Sequence, residues 1–406
     1  MPDDASQNAP LSDLKRLIHS PFARLRDLVA GIEPGGVPID MTIGEPRHGV
    51  PEMLGKVLAE RVNDYGKYPP IAGTPELITA IGAWMGRRYP GLMGRIDPAK
   101  HILPLSGSRE GLFSVIFTAM GRKVPKERPV VLMPNPFYQA YLAAALAGGA
   151  QPVFLDAEQQ TGFLPDLEAL EPELLTRTMA MYLASPANPQ GSVASRNYLA
   201  KAIDLARAHD FMLIIDECYS EVYYDAPPAG GLEVAASLSS DFTNVLVLNS
   251  LSKRSNVPGL RSGFIAGDAG FLADYARFRN VACPQMALPV QHASAALWSD
   301  EAHVEASRAL YGQKMEAASR ILKAQLGGWL PAGSFFLWLN VAHLGGGEAA
   351  AKTFWKGCGV KVLPGAYLAQ ANDRGRNPGE SFVRVALVDD LGTTITALER
   401  IEGLLS

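Results

Sequence analysis

Two short runs constrain the fold of this chain more than any other feature: "MLIID" at 212–216 and "VLVL" at 245–248. Neither alternates apolar with polar residues. A strand with one face in water alternates, so unbroken apolar runs of this length imply strands buried on both faces. The interior of a parallel sheet covered by helices meets that condition. The surrounding pattern agrees. "PVVLMPNP", "QPVFLD", "TMAMYLASPANP" and "RSGFIAGD" are further apolar runs, and helical patterns such as "FYQAYLAAALAGGA" and "SRNYLAKAIDLARAHD" lie between them. Strands alternating with helices imply right-handed crossovers and a mostly parallel sheet.

Near Ala287 the pattern changes. A long helical stretch from Pro289 to Leu326 leads to three short strand patterns, "GSFFLWLNV", "GVKVLPGAY" and "ESFVRVALV". That order suggests a second, smaller α+β unit. Before the sheet pattern begins, "LSDLKRLIHSPFARLRDLVAGI" is amphipathic and exits through "EPGGVP". The expected division is an N-terminal arm over 1–35, a large α/β unit over 51–287, and a small α+β unit over 36–50 and 288–406.

Composition narrows the function classes. Apolar residues make up 48% and charged residues 19% of 406, an ordinary globular balance with ample core. A net charge of -4 gives no support for a nucleic-acid or membrane-surface role. No run approaches the roughly 18 uninterrupted apolar residues of a membrane span, and "MPDDASQNAP" does not read as a secretory signal. Cys218, Cys283 and Cys358 are widely separated and odd in number, so a reducing cytoplasm is the expected home. The seven histidines show no ligand spacing, which argues against metal catalysis.

In open α/β sheets ligands sit outside the carboxyl ends of the strands, so side chains that directly follow the strand runs are the candidates for chemistry. Tyr138 follows "PVVLMPNP"; Asn188 follows "TMAMYLASPA"; Asp216 ends "FMLIID", with Tyr219 shortly after; Ser250, Ser252, Lys253 and Arg261 follow "VLVLN". In "LPLSGSREGLF", Gly107, Ser108 and Arg109 stand at a helix start. A Gly-Ser helix start suits a phosphate, and a hydroxyl from Ser250 with the fork of Arg261 suits the same anion. An acid at a strand end, Asp216, asks for a cation such as a protonated pyridine nitrogen. Asn188 and Tyr219 can both bond a phenolate oxygen, Tyr138 offers a ring for stacking, and Lys253 can form a Schiff base with an aldehyde. Pyridoxal 5′-phosphate combines all these needs. Glu217, Tyr182, Tyr223 and Tyr224 read as structural.

The segments that carry this set, "SLSKRSNVPGLRSGF", "SPANPQG" and "DECYSEVYY", resemble the landmark segments of fold-type I, class I/II aminotransferases. The resemblance runs from "MTIGEPRHG" to "FVRVALV". It implies the aspartate aminotransferase-like fold with a seven-stranded, mostly parallel sheet. It also implies that Lys253 bonds the cofactor aldehyde and that Asp216 contacts the pyridinium. Asn188 and Tyr219 would then meet O3′, Tyr138 would stack, and Ser108, Arg109, Ser250 and Arg261 would hold the phosphate. Two further matches extend it. Tyr68, in "GKYPPIAGTPEL", falls where the family sends a tyrosine across a homodimer interface to the partner's phosphate site. Arg384 falls where these enzymes bind the substrate α-carboxylate, and Gly44 where backbone approaches the substrate.

Several segments, among them "IGEPRHGVPE", "PNPFYQAY" and "PVQHASAALWSDEAHV", are similar to N-succinyldiaminopimelate aminotransferases of bacterial lysine biosynthesis. That similarity implies 2-oxoglutarate as amino acceptor and a polar or cationic contact for the distal end of the donor, with Arg47, Lys67 and Arg279 as candidates. Alanine, aspartate, aromatic or kynurenine aminotransferases and C–S lyases share the cofactor motifs and stay open. The effector half of a transcription regulator would need a preceding winged helix, for which the sheet pattern starts too early.

Overall fold

A computed structural model describes residues 20–372 and 374–405, so the first part of the expected arm, residues 1–19, lies outside the described residues. The described chain enters through helix Pro21–Leu28 and strand β1 (Ile39–Asp40). The large sheet contains β2 (Ile102–Leu105), β3 (Val130–Asn135), β4 (Gln151–Asp156), β5 (Thr178–Ala184), β6 (Met212–Asp216), β7 (Val245–Ser250) and β8 (Gly263–Gly267). Their order is β2-β8-β7-β6-β5-β3-β4. From β4 to β7 each neighbouring pair is parallel, and β8 is antiparallel to both β7 and β2.

The unbroken apolar runs have the predicted cause. Leu213, Ile215, Val245 and Val247 enter the core on one face of the sheet. Their chain neighbours Met212, Ile214, Leu246 and Leu248 enter the core on the other. Each buried Leu or Ile side chain contributes about 1.5–3 kcal/mol, so polar residues on either face would be costly. Strand β2, "ILPL", is apolar throughout but too short to stand out as a strand pattern. It is four residues long with Pro104 inside, which an edge position tolerates because the missing N–H faces away from the ladder.

The long helical stretch is two helices, Leu288–Ser299 and Ala302–Ile321. Asp300 breaks it: its backbone is extended, and its carboxylate accepts the His303 N–H at 3.1 Å at the start of the second helix. Ala295, Leu297 and Trp298 of the first helix lie in the core shared with Trp84 and Phe264. That helix therefore packs with the large unit, and the change of unit falls near Asp300 instead of at the expected Ala287. The small unit holds β9 (Phe336–Asn340), β10 (Val360–Lys361), β11 (Leu363–Pro364) and β12 (Phe382–Ala386). β12 is central between β11 and β9, both antiparallel to it, and β1 pairs with β10. Leu25 and Met41 join this core, so residues on both sides of β1 belong with the small unit. Among the described residues no helix is long and apolar enough to cross a membrane.

Candidate active site

The carboxyl ends of β5, β6 and β7 open into one cavity of about 1110 Å³ between the two units. Gly44, Ser108, Arg109, Tyr138, Asn188, Asp216, Tyr219, Ser250, Lys253, Arg261 and Arg384 all line it. The strands deliver most of these directly. Asp216 is the last residue of β6, Ser250 the last of β7, and Arg384 the middle of β12.

Lys253 sits on the single helical turn Leu251–Arg254 that follows β7. Ser250 caps this turn: its Oγ accepts from the Ser252 N–H at 3.1 Å and donates to the Ser262 carbonyl at 2.9 Å. Lys253 Nζ donates to the Gly44 carbonyl and lies 5.4 Å from the Phe335 ring centre. Burial pushes its ammonium down to about 8 from an ordinary 10.5. A side chain at Gly44 would strike the Phe336 ring, since a Cβ there would lie 2.4 Å from Cζ. Glycine is what lets the backbone come this close to the lysine.

At the next strand end, Asp216 is held at both oxygens. Tyr141 donates its hydroxyl to Oδ2 at 2.8 Å, and the Cys218 N–H donates to Oδ1 at 3.1 Å. Tyr141 in turn stacks on Tyr182 with ring centres 4.5 Å apart. Glu217, the neighbour in sequence, faces the opposite side of the sheet. It is buried there, bonded by Tyr89 Oη and the Gly231 N–H, and burial pushes its carboxyl up to about 7.

One wall forms an anion cup. Gly107, at φ +83°, precedes helix Ser108–Ala119 and points the first N–H groups into the cavity. A Cβ on Gly107 would lie 2.2 Å from Arg261 Nη2, so the guanidinium occupies the space above the glycine. Arg261 adopts a left-handed φ of +55° and donates Nη1 to the Pro258 carbonyl at 2.6 Å. Arg109 donates Nε to the Tyr138 hydroxyl at 2.5 Å.

Arg384 is the most constrained cation. It is 4% exposed, donates to the Thr42 carbonyl at 2.7 Å and to Asn188 Oδ1 at 3.0 Å, and lies 4.3 Å above the Phe336 ring. Its Nε has no partner. No carboxylate among the described residues pairs with it, and burial pushes it down to about 10. A buried cation without an anion implies one supplied by a ligand.

A family model described as aminotransferase class I and II matches residues 37–397. The chain belongs to the class I and II aminotransferases. An aminotransferase from Neisseria meningitidis Z2491 has a crystal structure that superposes with a TM-score of 0.92 at 40% identity, covering 98% of this chain and 100% of that one. A probable N-succinyldiaminopimelate aminotransferase from Thermus thermophilus gives a TM-score of 0.82 at 26% identity, covering 95% and 100%. The LL-diaminopimelate aminotransferase of Desulforudis audaxviator is 28% identical over 404 residues, 97% of this chain and 98% of that protein.

Aminotransferases of this family use pyridoxal 5′-phosphate and act on amino acids and 2-oxo acids. The donor set fits that cofactor: a helix-start cup with an arginine above it, a carboxylate held at a strand end, and a partly desolvated lysine between them. Tyr68 does not reach this aminotransferase's cavity on its own chain and is fully exposed. Arg47, Lys67 and Arg279 are absent from the lining, which corrects the expectation for the distal end of the substrate. Arg47 is paired with Asp389, Lys67 with Asp64, and Arg279 with Glu110. Tyr141 and Cys218 were missed. For Tyr141 a signal existed: it lies one helical turn beyond Tyr138, on the same face.

Proposed function

We propose that this aminotransferase moves the amino group of N-succinyl-LL-2,6-diaminopimelate to 2-oxoglutarate, giving N-succinyl-2-amino-6-oxopimelate and glutamate, as a cytoplasmic step of lysine biosynthesis. The observation that carries the reading is a buried cation in a cavity of about 1110 Å³, which leaves room beside the cofactor for a long donor. Arg384, buried and without a carboxylate, suits the α-carboxylate at the reacting end. Arg109, tethered through Nε to Tyr138, stays with the phosphate set.

When bound, pyridoxal 5′-phosphate supplies an aldehyde that condenses with amines and a ring that accepts electrons from the substrate's Cα. Lys253 would hold the aldehyde, and its amine, when free, would take the proton from Cα; a value near 8 leaves a usable fraction of free amine at neutral pH. Asp216, fixed by Tyr141 and Cys218, keeps a proton on the pyridine nitrogen. Asn188 accepts from Arg384 through Oδ1, which leaves its Nδ2 to donate to O3′ beside Tyr219. Ser108, Ser250 and Arg261 hold the phosphate, with Tyr138 against the ring. Arg384 fixes the α-carboxylate, and Gly44 gives the substrate room beside Lys253.

The same reading makes the enzyme a homodimer in which Tyr68 crosses to the partner's phosphate site. Its full exposure, with Val62 and Tyr65 also exposed close by in sequence, supports this. Sedimentation of the holoenzyme at monomer mass contradicts it.

A second reading, LL-diaminopimelate itself as donor, is favoured by the name of the Desulforudis relative. Steady-state kinetics with 2-oxoglutarate and a panel of donors separates the two. The proposal expects N-succinyl-LL-diaminopimelate to give the highest kcat/KM, above LL-diaminopimelate, aspartate, alanine, kynurenine and phenylalanine. A higher value for unsuccinylated diaminopimelate transfers the assignment to the second reading, and a higher value for any of the others rejects both.

A further inference from the structure

Outside the cavity, one buried polar cluster takes no part in the chemistry described above. Lys314, 2% exposed, points from helix Ala302–Ile321 into the protein and has no carboxylate in hydrogen-bond contact among the described residues. Its Nζ contacts His48 Nε2 at 2.7 Å and the Leu387 carbonyl at 3.4 Å. An ammonium has only donors, so Nε2 accepts and the imidazole proton sits on Nδ1. That proton is directed at Ser307 Oγ, 3.2 Å away. Ser307 in turn exchanges hydrogen bonds with Asn256, accepting from Nδ2 at 3.0 Å and donating to Oδ1 at 3.4 Å. Asn256 follows the helical turn that bears Lys253 and is held at φ +55°. The tilted Tyr311 ring, 4.3 Å from the imidazole, closes the remaining side.

What the cluster holds is the segment from Thr42 to His48, which crosses the cavity mouth. Its inner side meets the reactive groups through backbone: the Thr42 carbonyl accepts from Arg384 and the Gly44 carbonyl from Lys253. Ile43, Glu45 and Arg47 are exposed, the first two of them lining the cavity. At the upstream end the Met41 carbonyl is tied to the Ala386 N–H of β12. At the downstream end the alternatives to His48 are the exposed Arg47–Asp389 pair and the ring of Pro46. An exposed ion pair contributes about 0–1 kcal/mol, too little to fix a backbone against two cations.

We propose that His48 is a positioning residue of this aminotransferase: its neutral imidazole, held between Lys314 and Ser307, fixes the Thr42–His48 segment so that the Thr42 and Gly44 carbonyls meet Arg384 and Lys253. Through Ser307 and Asn256 the same ring ties that segment to the turn carrying Lys253, so the two walls of the reacting end keep one spacing. The charge environment agrees. Burial and the Lys314 ammonium push His48 down to about 4, while Lys314 is pushed down to about 8 by burial against the opposing pull of Asp389 and Asp390. Arg47, the other nearby cation, is neutralised by Asp389. The inference rests on the roles proposed above for Lys253 and Arg384.

The test compares His48→Ala, His48→Gln and the double replacement His48→Leu with Lys314→Met, at pH 7. Glutamine keeps an acceptor for Lys314 and a donor for Ser307. The double variant removes the buried ammonium along with its partner, so it stays folded if His48→Ala does not. Hydrogen–deuterium exchange is read across residues 42–48 in both cofactor-free and cofactor-loaded protein, and kcat and KM are read for L-glutamate with 2-oxo acid acceptors. The expected result is faster exchange confined to 42–48 in the alanine and double variants. KM rises on the order of tenfold as Arg384 loses its Thr42 carbonyl, and kcat falls as Lys253 loses that of Gly44, because small displacements at a reacting site are costly. His48→Gln restores both. Unchanged exchange at 42–48, an unchanged KM despite faster exchange, or a fall in melting temperature and kcat together with exchange raised throughout the chain each overturn the proposal. Exchange does not depend on which amino donor is used, so failure of the substrate assignment leaves this outcome readable.

Discussion

Replacing Arg384 by methionine is predicted to remove most of the activity while leaving stability nearly unchanged. An ordinary buried side chain loses both when truncated. Arg384 differs because the protein holds it as a cation with no anion beside it. Burial pushes it down to about 10, which disfavours the charged form in the folded chain by about 3 kcal/mol. Two hydrogen bonds, to Thr42 and Asn188, offset this, each worth about 1.5–3 kcal/mol for a charged donor. Methionine fills a similar volume against Phe336, removes the desolvation penalty and gives up those two bonds. The cofactor-free variant should therefore melt within a few degrees of the parent by scanning calorimetry. The sign with pH also follows. A cation with a depressed value binds its proton more weakly when folded, so the parent should gain stability as pH rises above about 10, and the variant should not. Catalysis should suffer heavily. Losing a buried, charged pair with a substrate carboxylate costs about 2–5 kcal/mol, a fall of roughly 30-fold to several thousand-fold in kcat/KM for glutamate. A variant with kcat/KM within about threefold of the parent, or one that loses activity only because it no longer folds, refutes the reasoning.

Two further predictions follow from the same geometry. Tyr141→Phe removes the hydroxyl that orients Asp216 but keeps the stack on Tyr182, so kcat should fall about tenfold while melting changes by little more than one lost hydrogen bond, about 1 kcal/mol. Reconstitution of cofactor-free protein needs the Lys253 amine unprotonated, so its rate should climb with pH and level off above about 8; a plateau only near 10.5, read by stopped-flow absorbance, contradicts the lowered value.

The sequence made the sheet legible where burial leaves no alternative. β6 and β7 show themselves because both faces are covered, and the residues just past their ends could be named because a parallel sheet exposes its carboxyl ends at one edge. β2 stayed hidden because four residues with a proline carry too weak a pattern. The helix break at Asp300 was overlooked although Ser-Asp-Glu is a capping signal, since apolar spacing runs on across it. Within the site, residues facing the cavity from strand ends were readable, whereas Tyr141, Cys218 and His48 depend on contacts between distant segments. The same limit explains Arg47, Lys67 and Arg279: a cation in a sequence does not show which acid it will meet.

The central claim is that the lysine after β7 bonds the cofactor. Sodium borohydride reduction of the holoenzyme, followed by proteolysis and mass spectrometry, tests it directly. The phosphopyridoxyl mass should appear on the peptide containing Lys253 and vanish in Lys253→Ala, along with the cofactor's visible absorbance and turnover. A modified peptide lacking Lys253, or a Lys253→Ala enzyme that keeps absorbance and turnover, contradicts the account.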